Sequence, residues 1–434
     1  MRSIGRFFNI YYLLLLIVLI SRQSDAEPSM ALRLAFITAV VAPTIISKKI
    51  SFPAIISMFM TLTLYGFSYS YMPYMTYIYA ILTLVFTFFF LQRQKAKFFV
   101  PSFLFLVTGY VFLIDLIANM GGGGMQYIEN VFYCFLMLVC FYFVSNSDSG
   151  DALRQISLSL IVVTIVFSVL FIQNRETFAV YYDYNEEFER FNWTDPNYFG
   201  TVIGMGSVMA MMLLYNAKKS ESNLMEKVIL IFSIAISVPV LFLNASRGAV
   251  LSVAAAGVVL ILFTKMKIGY KLLIIGAVFA ALVILYNNQY MDLLAYRIEN
   301  EDTGGSGRTS IWISKLQAYS NSGMIAILFG CGYEKGLSIG GHSIGFHNDF
   351  VAFLVDYGLV GLVLFLYMLY YPIKKVPRNS YYFPFVVCII TYLVVTGMTL
   401  EPLTGGRLPY FVFYLQALLM VNVARYDVRL QQTT

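Results

Sequence analysis

His347 stands at the start of an apolar run, and a neutral imidazole held there can take a proton from a hydroxyl near neutral pH. An isolated histidine is more often merely structural. The second histidine, His342, lies five residues earlier, a gap that does not stack two ligands on one helical face. No Cys, His or acidic cluster completes a zinc-type set, so neither a metal nor a cofactor is expected. Arg247, in Asn244-Ala245-Ser246-Arg247-Gly248, falls at the junction of two apolar runs with almost no loop around it. A cation there is costly unless it pairs, meets an anionic ligand or snorkels to the interface. A guanidinium binds phosphate bidentately, and a lipid diphosphate would carry its phosphates at this depth. Arg308 opens a segment in which Ile311, Trp312, Leu316 and Tyr319 share one face of a helix suited to a membrane surface. The arginine is then either a solvated loop charge or a functional one at the helix start.

A third region runs through residues 174–197, where Tyr181, Tyr182, Tyr184, Phe188, Phe191 and Trp193 alternate with acids and amides. Flat rings offer apolar faces to sugar C–H groups while carboxylates and amides bond hydroxyls, so the segment suits a saccharide chain. An interfacial aromatic belt with solvated acids has the same composition. Asp195-Pro196-Asn197 closes the segment with a natural N-cap followed by Pro at the first helical position, which marks a helix start.

These residues need a frame, and composition determines its kind. The 434-residue chain is 59% hydrophobic and 12% charged, with a mean hydropathy of +0.75. That excludes a soluble enzyme. Apolar stretches of roughly 20 residues recur along the whole length, each about what one helix needs to cross a bilayer. The predicted fold is therefore an all-α, polytopic membrane domain over 1–434, with helices near 5–20, 30–46, 51–70, 73–91, 98–119, 126–145, 154–173, 198–215, 226–244, 248–264, 269–287, 347–371, 381–399 and 407–424. Basic clusters such as Lys48-Lys49, Lys95-Ala96-Lys97 and Lys374-Lys375 fall in alternate short loops, which sets both termini in the cytoplasm. The net charge of +6 is spent on this orientation, and no nucleic-acid partner is indicated. The first run, after Arg2 and Arg6 and before Ser24-Asp25-Ala26, reads as an uncleaved helix, with a signal peptide as the alternative. Two exterior loops interrupt the tight turns, an aromatic-acidic one at 174–197 and a large one at 288–346 containing the amphipathic helix; loops of this length carry function. Of the four cysteines, Cys134, Cys140 and Cys388 lie in apolar runs and Cys331 stands alone in a loop, which excludes a disulfide framework.

Residues 347–361 read His347-Asn348, nine residues, Gly358, two residues, Gly361. This resembles the His-Asn-x9-Gly-x-x-Gly signature of the O-antigen ligase and polymerase superfamily. Ser246-Arg247-Gly248 is similar to that family's Ser-Arg-Gly at a helix start, Arg308-x-x-x-Trp312 to its arginine before the loop helix, and Phe329-Gly330-Cys331-Gly332 to its Phe-Gly-x-Gly turn. Arg190 with Asp195-Pro196-Asn197 resembles an element of polysaccharide polymerases. The elements follow the family order, although fourteen helices exceed the usual twelve or so. The resemblance implies a metal-independent, GT-C-like glycosyltransferase acting on undecaprenyl-diphosphate saccharides at the outer face of the bacterial inner membrane. It implies Arg247 and Arg308 as diphosphate ligands and His347 as the group that orients or deprotonates the acceptor hydroxyl. It also implies Arg190, Asp195, Asn197 and Asn348 as substrate-binding residues, with Arg190 toward the acceptor or its lipid phosphate.

Two acceptors are open. A polymerase extends a lipid-linked repeat unit and works with a chain-length regulator protein, whereas a ligase moves the finished chain to lipid A-core. The 190–197 element and the aromatic-acidic loop favour the polymerase. A lipid-linked oligosaccharide transporter is the non-enzyme alternative, but transporters show internal repeats and charges at the bilayer midplane. Asp356, nine residues into its predicted span, is the exception here.

Overall fold

The computed structural model describes residues 101–119, 126–146, 149–173, 196–216, 224–244, 246–287, 308–341 and 345–433. The elements are α1 (Ser102–Asn119), α2 (Gln126–Asn146), α3 (Ser149–Gln173), α4 (Pro196–Asn216), α5 (Leu224–Leu243), α6 (Arg247–Phe263), α7 (Ile268–Asn287), α8 (Arg308–Ser320), α9 (Met324–Phe329), α10 (Tyr333–Ser338), a 3-10 turn (Ile339–Gly341), α11 (Asp349–Lys375), α12 (Phe383–Thr399) and α13 (Leu408–Thr433). No strand occurs among the described residues, and every expected span from 98–119 onward coincides with a helix. The expected spans 5–20, 30–46, 51–70 and 73–91, and the first helix with its cleavage alternative, lie outside the described residues. Among those described, four helices are long and apolar enough to cross a membrane: Ala152–Gln173, Asn197–Tyr215, Leu224–Leu243 and Asp349–Lys375. Ser102–Ala118, Arg247–Phe263 and Phe383–Thr399 are shorter and equally apolar. The protein is an all-α polytopic membrane protein.

The chain divides into two compact units, Met1–Arg93 with Asp148–Val253 and Gln94–Ser147 with Ala254–Thr434. In the first, α3, α4 and α5 pack on one another through small residues, as membrane helices do when no hydrophobic effect drives them together. A Cβ at Gly206 of α4 would run into the Thr164 side chain of α3. Ser207 and Ser237 share a hydrogen bond of 2.7 Å between α4 and α5, and Arg154 meets Glu226 at 3.5 Å.

In the second unit α11 runs antiparallel to α1. Phe103 of α1 packs its ring, tilted, against Tyr371 near the basic end of α11, while Tyr110 and Asp115 reach Tyr357 toward its other end. The run from 347 to 371 reads as one uninterrupted helix, yet α11 is kinked at Gly358, where φ is 68° and ψ is −173°. Around the kink three successive carbonyls take donors from outside the helix. Val355 accepts from the Cys331 amide at 3.1 Å, Asp356 from the Gly332 amide at 2.8 Å, and Tyr357 from the Tyr110 hydroxyl at 2.8 Å. The approach is so close that a Cβ on Gly358 would meet the Leu328 carbonyl, and one on Gly330 (φ 92°) would meet the Asp356 carbonyl. The Phe-Gly-x-Gly turn and Gly358 are thus the two halves of one joint.

The amphipathic helix forms where expected, as α8, but its apolar face is covered by protein and not by a membrane surface. Tyr319 is buried with Phe346, Ala352 and Val355, and Leu316 packs against that cluster. Lys315, at the centre of the same face, is completely buried. It sits 4.3 Å from the Phe346 ring centroid and donates to the carbonyls of Gly336 and Leu337 at 3.0 and 2.7 Å. Sequence alone cannot tell which apolar surface covers a helix face.

Candidate functional site at the head of α11

Asn348 is the N-cap of α11. Its Oδ1 accepts from the Phe350 and Val351 amides at 2.9 and 3.2 Å, satisfying donors that a helix start leaves without intrahelical partners. Its Nδ2 donates to the Met398 carbonyl at 3.4 Å. The cap sets the direction in which the preceding residue leaves the helix, and His347 takes a left-handed conformation there (φ 50°) that a side-chain-bearing residue seldom adopts. Such a conformation persists only when its surroundings impose it. Here they do. Glu401 Oε2 accepts the amides of both Phe346 and His347, at 2.7 and 3.2 Å, and the Trp312 indole donates to the Phe346 carbonyl at 2.6 Å.

The remaining contacts converge on the same short stretch, 398–404. Arg308 Nη1 donates to the Thr399 carbonyl at 2.6 Å, and the Asp349 amide donates to Leu400 at 3.2 Å. Together with Asn348 on Met398, these donors take up carbonyls at the C-terminal end of α12, whose partial negative charge favours a cation. Asp349 then holds the following turn. Its carboxylate accepts from the Leu403 amide, the Thr404 amide and the Thr404 hydroxyl at 2.9–3.3 Å. The sequence-predicted residues Arg308, His347 and Asn348 are therefore brought together, each tied to residues 398–401.

Electrostatically the site is a buried mixture of signs. Burial pushes the Glu401 carboxyl above its usual range, against the two amide hydrogen bonds and the positive charges of Lys315 and Arg407. Burial also pulls the Lys315 ammonium down, against the attraction of Asp356 and Glu401. Asp356 is buried, and neither of its carboxylate oxygens has a hydrogen-bond partner among the described residues. The α8 lysine attracts it, while Asp115 and Glu401 repel it more strongly.

In the first unit Asn197 meets the turn that leads into Arg247. Asn197, one residue into α4, accepts from the Ser246 hydroxyl at 3.3 Å. A Cβ on Gly200 would meet Asn244 Nδ2 at 2.6 Å and Ser246 Cβ at 3.0 Å, so the head of α4 is seated on the α5–α6 turn. Arg247 is the first residue of α6 and is half-buried. Arg190, Asp195 and His342 lie outside the described residues.

Sequence reasoning missed Glu401, Asp349 and the inward role of Trp312. Glu401-Pro402-Leu403-Thr404-Gly405-Gly406-Arg407 is a compact, charged turn between the last two apolar runs, and that composition was the available signal. Glu401 supplies a pH test. As pH falls through its raised pKa the carboxylate gains a proton and its hold on the Phe346 and His347 amides weakens, so activity should decline on the acid side at a pH above the ordinary glutamate range. Glu401→Gln keeps an acceptor oxygen but cannot titrate. That variant should show lower activity and an acid limb altered from that of the unsubstituted protein, the decline that remains belonging to protonation of the His347 base, measured as initial transfer rate from pH 4.5 to 8; an unchanged acid limb would detach Glu401 from His347.

The O-antigen ligase family model matches residues 232–366, which supports the O-antigen ligase and polymerase superfamily for this chain. The match takes in Arg247, Arg308 and His347 and stops short of Glu401 and of 190–197. The apolar helices on either side of and within that segment are those of a multi-pass membrane protein. No curated protein matches the chain.

Proposed function

We propose that the protein is a glycosyltransferase that moves a saccharide from undecaprenyl diphosphate to a hydroxyl acceptor, with its site facing the periplasm. The bond between the anomeric carbon and the diphosphate oxygen breaks, and a bond from that carbon to the acceptor oxygen forms. The acceptor proton passes to His347, and the diphosphate leaves carrying the electron pair. The donor already contains a good leaving group, so catalysis asks for fixed cations at the diphosphate and a base at the hydroxyl. Arg247 and Arg308 are assigned to the diphosphate. Asn348 and Asn197, whose side chains hold the heads of α11 and α4 to neighbouring segments, serve the substrate by shaping the chain around it. Arg190 and Asp195 are assigned to the acceptor side. The observation that carries the proposal is the convergence on residues 398–401 of Arg308, His347 and Asn348, three residues inside the segment that matches the family.

Two acceptors share this chemistry. The description of the matching family as an O-antigen ligase favours transfer of a finished polymer to lipid A-core. The 190–197 element favours polymerisation of lipid-linked repeat units, in which case a chain-length regulator is a partner. Deleting the gene and analysing lipopolysaccharide and lipid extracts separates them. Loss of a ligase strands long chains on undecaprenyl diphosphate, and loss of a polymerase leaves a single repeat on the core. Unaltered surface polysaccharide and lipid-linked pools would sink both.

A further inference from the structure

We infer that residues 324–332 form a re-entrant element that enters the bilayer from the end carrying His347 and lays the exposed face of α9 against lipid hydrocarbon chains. The inference rests on the chain being a membrane protein and is independent of the glycosyl-transfer reading.

Depth is the first argument, and two helices measure it separately. The turn after α9 docks on α11 at Asp356 and Gly358, seven and nine residues below the head of that helix at Asp349, which is about 11–13 Å at 1.5 Å per residue. On α1 the Tyr110 hydroxyl bridges the carbonyls of Phe329 and Tyr357, at 3.2 and 2.8 Å. Tyr110 is again nine residues from the Asn119 end. The chain then climbs to Gly332, where a Cβ would meet Ala118 close to the Asn119 end of α1. Leu113, Leu116 and Ile117 are exposed apolar residues of α1 nearer that end than Tyr110. Phe329 therefore sits at a level where α1 still presents an exposed apolar side, and a descent of about 11–13 Å is about two-fifths of a hydrocarbon core about 30 Å thick.

The second argument is backbone accounting. Non-helical backbone is tolerated in the hydrocarbon region only where protein satisfies its polar groups. Cys331 and Gly332 donate to the Val355 and Asp356 carbonyls at the α11 kink, and Gly330 donates back to Ala326 at 2.7 Å. Phe329 receives Tyr110, and the Tyr333 amide donates to Asp115 at 3.1 Å. The kink at Gly358 and the glycine turn thus satisfy each other, as immersion in hydrocarbon demands and exposure to water does not.

The third argument is the face itself. Met324-Ile325-Ala326-Ile327-Leu328-Phe329 contains no polar side chain. Ile327 packs inward on the Tyr319, Phe346, Ala352 and Val355 cluster. Met324 and Ile325 are 71% and 78% exposed, and Leu328 and Phe329 are exposed too. Phe329 is tied to α1 through Tyr110, and Leu113, Leu116 and Ile117 of α1 are exposed and apolar as well, so the occupant assigned to the face is the hydrocarbon that would cover α1. A part of the segment expected to be an exterior loop is, on this view, embedded.

The test is a nitroxide attached to Ile325→Cys in full-length protein carrying Cys331→Ala, reconstituted in nanodiscs of phosphatidylethanolamine and phosphatidylglycerol. The other native cysteines are buried and shielded from the label. Ser320→Cys, at the exposed end of α8, is the aqueous reference. Power saturation should show accessibility to oxygen several-fold above accessibility to a water-soluble nickel chelate at Ile325, and the reverse at Ser320. Leu328→Cys should follow Ile325. Chelate access at Ile325 equal to that at Ser320 would make α9 a water-exposed loop, and a label inaccessible to both reagents would mean that protein covers it; either result overturns the inference.

Discussion

His347→Ala is expected to abolish most transfer, by about 10² to 10⁴-fold, as loss of a general base commonly does, while the protein still accumulates in the membrane and binds lipid-linked donor. The backbone hydrogen bonds from Glu401 and Trp312 reach Phe346 and His347 through the main chain, so removing the imidazole leaves the local fold its anchors. His342→Ala should be mild, because nothing in the sequence sets that residue at the head of a membrane helix. Transfer should persist in chelator. The comparison is made on initial rates with matched protein levels. A severe His342 variant beside a mild His347 variant would reassign the base, and abolition by chelator would require a metal in its place.

The arginines give the second large effect. If Arg247 and Arg308 meet the diphosphate through paired hydrogen bonds, Lys is a poor substitute at either position despite keeping the charge, and each replacement should cost on the order of 10²-fold in rate. Arg308 adds a structural requirement, since its guanidinium also holds the Thr399 carbonyl. Arg308→Lys should therefore lower the thermal midpoint of the purified protein as well as the rate. Arg247→Lys, at the first residue of α6, should lower the rate with little change in the midpoint. Near-normal polymer from Arg247→Ala would reduce that residue to an interfacial anchor.

Much of the frame was legible because a bilayer makes each helix announce itself as an apolar run of sufficient length. Pro196 and Arg247 were legible as helix starts for the same reason, since caps and charges collect where the runs break. The kink at Gly358 was not, because glycine inside an apolar run is common and carries no sign of the turn that docks against it from residues 330–332. Glu401 escaped notice because its contacts are with backbone amides 54 and 55 residues earlier in the chain; such contacts impose no side-chain pattern on the partner. The face of α8 was identified correctly and its cover was not, since Trp312, Leu316 and Tyr319 suit lipid and protein equally. Lys315 in the middle of that face was the residue that argued for protein, where its ammonium can find the Gly336 and Leu337 carbonyls.

The central claim, that this chain forms glycosidic bonds from a lipid diphosphate, is tested most directly with purified protein in proteoliposomes containing undecaprenyl-diphosphate repeat units, with and without lipid A-core. The account predicts release of free undecaprenyl diphosphate in step with either longer lipid-linked chains or saccharide-bearing core, and its loss in His347→Ala. Movement of intact lipid-linked oligosaccharide across the bilayer, with no undecaprenyl diphosphate released and no new glycosidic bond, would contradict it and make the protein a transporter.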